Sequence, residues 1–297
     1  MTDHITLVEV GPRDGLQNEK QTIDPATKIE LVERLAEAGF QSVEAGAFVS
    51  PKWVPQMAAS DTVLTGIERC DGVSYPVLTP NMKGYEAARA AHVDTIAVFG
   101  AASETFSQKN INATIEESLE RFKPVIEAAK ADGVRVRGYV SCVLGCPYEG
   151  AVPVENVLRV SKTLYDMGCY EISLGDTIGV GTPRETAALI RALANAIPVA
   201  ALAGHFHDTY GQALANIWAA IDAGVTTFDS SVSGLGGCPY AKGASGNVAS
   251  EDVVYSLHRS GFETGVNLDA LMDASIWISD KLQRRPGSKV TLAKRTP

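Results

Sequence analysis

Short apolar runs rich in β-branched residues alternate along the chain with longer segments of helical periodicity. The short runs are typical of buried strands, and the longer segments are typical of amphipathic helices that cover them. Ala26–Ala38 is one such segment, and it places Ile29, Val32, Leu35 and Ala36 on one face, as a helix facing a core requires. The whole chain is therefore predicted to be built from β-strand and α-helix units in alternation.

Eight strands are expected: Ile5–Gly11, Ser42–Ala47, Val73–Thr79, Thr95–Gly100, Val134–Val143, Glu171–Asp176, Val199–His207 and Thr227–Val232. The helical segments between them include Asp24–Ala38, Ile115–Ala131, Pro153–Met167, Pro183–Ala196 and Gln212–Ala223. A unit of ~35 residues repeated eight times suits an α/β fold of the (β/α)8 TIM-barrel type, which takes ~250 residues. An open, doubly wound sheet is the alternative, because periodicity does not set strand order.

No linker or change in composition divides the chain. We therefore predict a single TIM-barrel domain over residues 1–297, with an additional C-terminal helix, Leu268–Gln283, in an extension formed by residues 264–297.

Composition narrows the functional classes. The net charge is −9, and no basic stripe is visible, which argues against a nucleic-acid partner. No apolar run reaches the ~18 residues that span a bilayer, so no membrane association is expected. The first ten residues, MTDHITLVEV, lack the features of a secretory or transit segment, and we expect a cytoplasmic protein. Five cysteines, an odd number, do not indicate a disulfide framework.

Polar residues recur where the predicted strands end. In a closed barrel the carboxyl ends of the strands form the face that carries the chemistry. The residues found at this edge are Arg13, Asp14, Glu44, Asp176, His205 and His207.

The segment His205-Phe206-His207 places two imidazoles on one side of a strand. Two histidines so placed form half of a metal site, although a hydrogen-bonded or surface pair is an equally common interpretation of this pattern. Barrel closure would bring Asp14 close to both rings. One carboxylate and two imidazoles suit Mg²⁺ or Mn²⁺, and they also match the facial triad of non-haem iron oxygenases.

A glycine-rich segment follows the eighth predicted strand and has five glycines within residues 234–247. It is either a flexible surface loop or a mobile lid over the active site, and it carries Cys238. A cysteine there could transfer a proton or attack a carbonyl. Asn247, at the end of the segment, could offer its carbonyl oxygen to the metal.

Arg13 adjoins the proposed ligand Asp14. A fixed cation beside a Lewis acid is suited to a reaction that passes through an enolate, since both stabilise the developing negative charge. The alternative is a structural ion pair of Arg13 with Glu44 or Asp176. Each of those two carboxylates could be a base, a substrate-orienting group or an ion-pair partner.

Several long motifs resemble the 3-hydroxy-3-methylglutaryl-CoA lyase family. Val8–Glu19, with the letters VEVGPRDGLQNE, is similar to the opening signature of that family. The resemblance covers nearly the whole chain and continues through Tyr75–Lys83, Phe99–Glu104, Arg137–Gly150, Gly168–Pro183, His205–Asn216 and Gly234–Asn247.

That resemblance implies cleavage of (S)-3-hydroxy-3-methylglutaryl-CoA to acetyl-CoA and acetoacetate, as in leucine breakdown. Arg13 matches the cation that stabilises the enolate, and Cys238 matches a catalytic proton donor. Glu44 and Asp176 match further active-site acids, and His205 or Asp176 is the expected base. The divalent metal, Mg²⁺ or Mn²⁺, would be held by Asp14, His205, His207 and Asn247.

The resemblance also suggests an acyl-CoA substrate and a homodimer. Asn18, Lys20 or Lys52 near the barrel mouth could reach the CoA phosphates, although solvated surface positions are equally consistent with the sequence. The chain ends in Ala293–Pro297 without the terminal cysteine of the animal enzymes, which is consistent with a bacterial-type enzyme. The rival functions are a related metal-dependent acyl-CoA synthase or aldolase acting on another hydroxy or oxo acid, and a metal-binding regulatory barrel without turnover.

Overall fold

The strands of the computed structural model form one parallel sheet, and the structure describes residues 4–237 and 246–295. Within these residues the strands are β1 (Thr6–Glu9), β2 (Ser42–Val43), β3 (Gly46–Ala47), β4 (Val77–Leu78), β5 (Thr95–Ala101), β6 (Arg135–Ser141), β7 (Glu171–Asp176), β8 (Leu202–Phe206) and β9 (Thr227–Ser230). Their order in the sheet is β2-β1-β9-β8-β7-β6-β5-β4-β3.

The sheet closes on itself because β2 and β3 are the two halves of the predicted strand Ser42–Ala47. The amide of Glu44 donates to the carbonyl of Glu9 at 2.8 Å, on the β1 side. The next amide, that of Ala45, donates to the carbonyl of Pro76 at 3.0 Å, on the β4 side. This segment therefore lies between β1 and β4 and completes a ring of eight strand positions. The TIM-barrel prediction is confirmed, and the open-sheet alternative is wrong.

The helices in the described part of the chain are α1 (Pro25–Glu37), α2 (Ser60–Gly66), α3 (Met82–Ala90), α4 (Glu104–Ile111), α5 (Ile115–Ala131), α6 (Val154–Met167), α7 (Pro183–Leu193), α8 (Ala213–Asp222), α9 (Ser250–Arg259), α10 (Leu268–Lys281) and α11 (Lys289–Arg295). Their starts follow local capping chemistry. Asp24 accepts the amide of Thr27 at 2.9 Å, and Thr114 and Glu117 form a capping box at α5. None of the helices in residues 4–237 and 246–295 is long and apolar enough to cross a membrane.

Three segments differ most clearly from the predicted elements. Val199–Ala201 forms a 3₁₀ turn instead of the start of a strand, because the amide of Ala201 donates back to the carbonyl of Pro198 at 2.8 Å. The third predicted strand, Val73–Thr79, is shortened to β4 because Pro76 has no N–H to donate to a ladder. The single predicted C-terminal helix is α10, and a second helix, α11, follows it and packs on α9 and α10.

Candidate active site and metal centre

The turn after β1 positions the first candidate ligand. Residues Gly11–Gly15 form a wide helical turn in which the amides of Asp14 and Gly15 both donate to the carbonyl of Val10, at 2.7 and 3.1 Å. Such π-type turns are uncommon and frequent at functional sites. A Cβ atom at Gly15 would lie 2.7 Å from the Cβ of Leu235, so the turn packs against the loop after β9 only because glycine is there.

Asp14 meets two histidines at the carboxyl ends of the strands. His205 and His207 are both buried, and their Nε2 atoms lie 3.2 Å apart. One possible ligand atom from each of Asp14, His205 and His207 lies within 4.8 Å of the others. Barrel closure therefore brings together residues from opposite ends of the sequence, as the sequence predicted.

The protonation states of the side chains in and next to this cluster are suited to binding a metal cation. Burial would raise the pKa of Asp229, but Arg137 and His205 lower it below its usual range, so this carboxylate is ionised and only accepts hydrogen bonds. His205 Nδ1 lies 2.9 Å from Asp229 Oδ2 and must therefore carry the hydrogen. In the neutral ring the Nε2 lone pair then faces His207. A nitrogen lone pair, a second imidazole and the Asp14 carboxylate form a donor set that can hold a divalent metal ion.

The two imidazoles differ in their electrostatic environment. Burial lowers the pKa of His205, but the hydrogen bond to Asp229 and the charges of Asp229 and Asp14 together outweigh this effect and raise the pKa above its ordinary value. Burial and the neighbouring His205 lower the pKa of His207 to about 4. His207 is therefore neutral at neutral pH and retains a lone pair for a metal.

Asn247 lies against the same cluster. Its Nδ2 donates to Asp14 Oδ2 at 2.7 Å and contacts the carbonyl oxygen of Leu235 at 3.2 Å, and its backbone forms an antiparallel bridge with His207. The amide nitrogen thus faces the carboxylate, which is the orientation that this hydrogen-bond network selects. Ligation through the carbonyl oxygen of Asn247 would require the amide to turn over.

The described ends of the glycine-rich segment meet beside the cluster. Gly246 has a φ of +78°, and a Cβ atom there would lie 2.5 Å from the carbonyl carbon of Gly236. The carbonyl of Gly246 also accepts the amide of Asp208 at 2.8 Å. Cys238, the predicted proton donor, lies outside the described residues.

Arg13 joins the metal-ligand cluster to a second carboxylate. Its Nε and Nη2 atoms lie 2.9 and 2.8 Å from Glu44 Oε2, and its Nη1 lies 2.7 Å from Asp14 Oδ1. Burial opposes the charge on Arg13, but the two carboxylates raise its pKa above the ordinary value. Burial would likewise raise the pKa of Asp14, but Arg13 and the histidines hold it well below its usual range. The structure therefore pairs Arg13 with Glu44, one of the two partners that the sequence left open.

Asp176 lies at the end of β7 and pairs in register with Phe206, between the two histidines. Its carboxylate accepts the amides of Val180 and Gly181, at 3.1 and 2.8 Å. Burial raises the pKa of Asp176 to about 6 despite these hydrogen bonds. The structure thus places Asp176 at the barrel mouth with its oxygens directed to its own loop.

Sequence reasoning missed a buried polar network beneath the cluster. Arg137 is 1% exposed, and its Nη2 lies 2.8 Å from Asp229 Oδ1. Its Nε lies 2.6 Å from Glu171, and its Nη1 donates to the hydroxyl of Tyr139 at 2.9 Å. A charged residue in the middle of a predicted buried strand was the available signal, as at Arg137 in Val134–Val143.

Two of the predicted CoA contacts line one cleft at the barrel mouth. The cleft has a volume of about 240 Å³, and its lining includes Asn18, Lys20 and the exposed Trp53. Asn18 Nδ2 also donates to the carbonyl of Gly237 at 3.0 Å. Lys52 is exposed next to Trp53. The cleft therefore adjoins the start of the glycine-rich segment.

Comparison with known proteins agrees with this geometry. The HMGL-like family model matches residues 4–278. The chain is 60% identical, over 97% of its length and 96% of the relative, to the 3-hydroxy-3-isohexenylglutaryl-CoA/hydroxy-methylglutaryl-CoA lyase of Pseudomonas aeruginosa. It is 59% identical, over 97% of its length and 89% of the relative, to the mitochondrial hydroxymethylglutaryl-CoA lyase of Bos taurus. A crystal structure of hydroxymethylglutaryl-CoA lyase from Pseudomonas aeruginosa superimposes with a TM-score of 0.97 at 59% identity and covers 99% of this chain and 98% of that chain. The chain belongs to the HMGL-like family.

Proposed function

We propose that this protein is a carbon–carbon lyase that cleaves (S)-3-hydroxy-3-methylglutaryl-CoA to acetyl-CoA and acetoacetate. The observation that carries the proposal is the convergence of Asp14, His205 and His207 beside the buried cation Arg13, in a chain about 60% identical to a lyase of this kind. No observation favours the related synthase or aldolase.

The metal site is proposed to consist of Asp14, His205, His207 and Asn247. Carboxylate and amide oxygens with two imidazoles suit Mg²⁺ or Mn²⁺. When bound, such an ion lowers the pKa of the tertiary hydroxyl of the substrate.

The chain's own residues then supply the base and the stabilising cation. A base removes the hydroxyl proton, the oxygen forms the ketone of acetoacetate, and the bond between C2 and C3 breaks. The electron pair of that bond leaves as the enolate of acetyl-CoA, whose oxyanion faces Arg13. Glu44 holds Arg13 in place through two contacts to one carboxylate oxygen.

We assign the base to Asp176, whose carboxylate oxygens accept loop amides but have further lone pairs that can take a proton. Both nitrogens of His205 are engaged if Nε2 holds the metal, because Nδ1 is bonded to Asp229. The pKa of Asp176, raised by burial to about 6, is close to the operating pH, where a general base is most effective. His205 then acts as a ligand, and the proton from the substrate hydroxyl passes to Asp176.

Cys238 is proposed to protonate the enolate carbon and so complete acetyl-CoA. The proposal rests on the family resemblance of the segment that carries it. Cys238→Ser should lower kcat by ~10²-fold with little change in substrate affinity, because a hydroxyl is a much weaker acid than a thiol. Steady-state kinetics with a separate binding measurement check this, and an unchanged kcat would remove the cysteine from the mechanism.

The remaining proposals concern the residues that contact the CoA portion of the substrate, the oligomeric state, and the location and pathway of the enzyme. Asn18 and Lys20 are proposed to contact the CoA portion, because they line a cleft next to the glycine-rich segment. We also propose a cytoplasmic location and, from the resemblance, a homodimer that acts in leucine degradation.

The decisive experiment measures acetoacetate formation from 3-hydroxy-3-methylglutaryl-CoA after metal removal with EDTA. We expect no product without metal and full recovery on addition of Mg²⁺ or Mn²⁺ under anaerobic conditions. Recovery that required both Fe²⁺ and O₂, or a lack of cleavage by metal-loaded protein, would contradict the proposed function.

A further inference from the structure

We propose that Asp229 is a positioning residue that selects the tautomer of His205 and thereby directs the Nε2 lone pair of that ring to the metal site. The inference rests on the metal centre proposed above. It concerns a residue of β9 that is not itself one of the proposed metal ligands.

The first step is the contact between the two side chains. Asp229 Oδ2 lies 2.9 Å from His205 Nδ1, and both groups are buried. The same oxygen accepts the hydroxyl of Ser173 at 2.8 Å. An ionised carboxylate can only accept, so the hydrogen of the neutral imidazole stays on Nδ1. Carboxylate–histidine–metal arrangements fix ring orientation and tautomer in this way.

The second step is what holds the carboxylate itself. Asp229 Oδ1 lies 2.8 Å from Arg137 Nη2, and Arg137 is tied in turn to Glu171 at 2.6 Å. Asp229 thus has a fixed cation on one oxygen and His205 on the other. Rotation of the carboxylate would break both contacts inside the barrel, so the hydrogen-bond acceptor for His205 is preorganised.

The third step is the difference between the histidines. Among the described residues, only His205 of the pair has a carboxylate hydrogen-bonded to its Nδ1. The two ligands are therefore not equivalent, and the orientation of His205 depends on a residue outside the metal site.

Asp229→Asn distinguishes this role from simple packing. The Arg137 guanidinium only donates, so it would retain the amide oxygen on its side. The amide NH₂ would then face His205 Nδ1, which would have to accept. The ring hydrogen would move to Nε2, where it blocks ligation, although shape and volume are almost unchanged.

The test measures Mn²⁺ affinity from the free-ion signal in electron paramagnetic resonance, which needs no turnover. We expect a 10- to 100-fold loss in Asp229→Asn. Glu171→Gln is the matched control, because it removes a carboxylate from the other side of Arg137 without touching His205, and its affinity should stay within ~3-fold of wild type.

Nitrogen-15 NMR of histidine-labelled, metal-free wild type gives a second readout, in which His205→Gln serves only to assign the signal of His205. At a pH where the ring is neutral, that signal should show a protonated Nδ1 and an unprotonated Nε2. A neutral His205 ring protonated on Nε2 in wild type, or Asp229→Asn binding Mn²⁺ as tightly as wild type, would overturn the assignment. An equal loss of Mn²⁺ affinity in Glu171→Gln would also overturn it, because the loss would then be caused by removing any carboxylate charge near Arg137. Wild type that binds no Mn²⁺ would refute the proposed metal centre itself, and the role of Asp229 with it.

Discussion

Two regions of this barrel contain buried carboxyl groups whose partners shift their pKa values in opposite directions. At the mouth, Asp14 and Glu44 share the guanidinium of Arg13. In the wall next to the C-terminal helices, the buried carboxyl groups are those of Glu9 and Glu251, whose hydrogen-bond partners in the described residues are amides and hydroxyls. Burial raises the pKa of Glu9 to about 8 and that of Glu251 to about 7, whereas Arg13 and the histidines hold that of Asp14 well below its usual range.

The hydrogen bonds around Glu9 agree with a protonated side chain. Ser250 Oγ lies 2.6 Å from Glu9 Oε2 and 2.8 Å from Ser230 Oγ, and its single hydrogen can serve only one of them. If Glu9 carries a proton, it donates to Ser250, which then donates to Ser230, and each hydroxyl is satisfied.

The comparison shows that a buried carboxyl group can belong to the active site or to the packed wall of the barrel, depending on its hydrogen-bond and ion-pair partners. Asp14, beside a buried arginine and two histidines, stays ionised and can bind a metal. Glu9, whose hydrogen-bond partners are neutral donors, keeps its proton at neutral pH and joins β1 to α9 as a neutral group. Three predictions test this distinction.

The largest effect is expected for Arg13→Met. Loss of the cation removes the stabilisation of the enolate and should lower kcat by at least ~10²-fold. Mn²⁺ binding should remain nearly intact, because the ligand residues are unchanged and the cation itself favours the ionised form of Asp14. Arg34→Met, which removes an exposed arginine paired with Glu30, is the control and should leave kcat unchanged. Normal turnover in Arg13→Met would make Arg13 a structural ion-pair residue only.

A smaller effect is expected for Asp252→Ala. Asp252 accepts the hydroxyl of Ser288 at 2.7 Å and the amides of Lys289 and Val290 at 3.1 and 2.9 Å, so it caps α11 from α9. Its loss should lower the free energy of unfolding by about 1–2 kcal/mol.

Urea titration with proteolysis of the C-terminal region measures this effect. Asp269→Ala is the control, because Asp269 is exposed and its side chain forms a single ion pair within the described residues, with Arg295 at 3.2 Å. Equal stability losses in the two variants would show that burial of the Asp252 contacts contributes nothing.

Per pH unit, the smallest effect is the pH dependence of stability, measured with Glu9→Gln. Between pH ~4.5 and ~8 the folded state keeps the Glu9 proton and the unfolded state loses it, so this group makes stability fall as pH rises. Glu9→Gln can still donate to Ser250 but cannot titrate. Its free energy of unfolding should therefore have a slope more positive than that of wild type, by about 1 kcal/mol per pH unit. Parallel slopes would mean that Glu9 is ionised in the folded state.

The sequence predicted the barrel and much of the site for a definite physical reason. In a parallel barrel the carboxyl ends of all strands lie on one face, so polar residues that end successive strands must share that face. Asp14, His205 and His207 were found by this rule, and the structure brings them together. The boundaries near Pro76 and Pro198 were less accurate, because the ladder depends on which amides can donate.

What the sequence determined by itself was therefore the repeating βα pattern, the family resemblance and the set of polar residues at the strand ends. Only the tertiary structure decided the partners of those residues: Glu44 for Arg13, the loop amides for Asp176, and Asp229 for His205. The physical reason is that ion pairing and tautomer choice depend on distances of a few ångströms between strands that are far apart in the chain. Periodicity specifies which side of a strand a residue faces, but it does not specify which residue faces it from across the barrel.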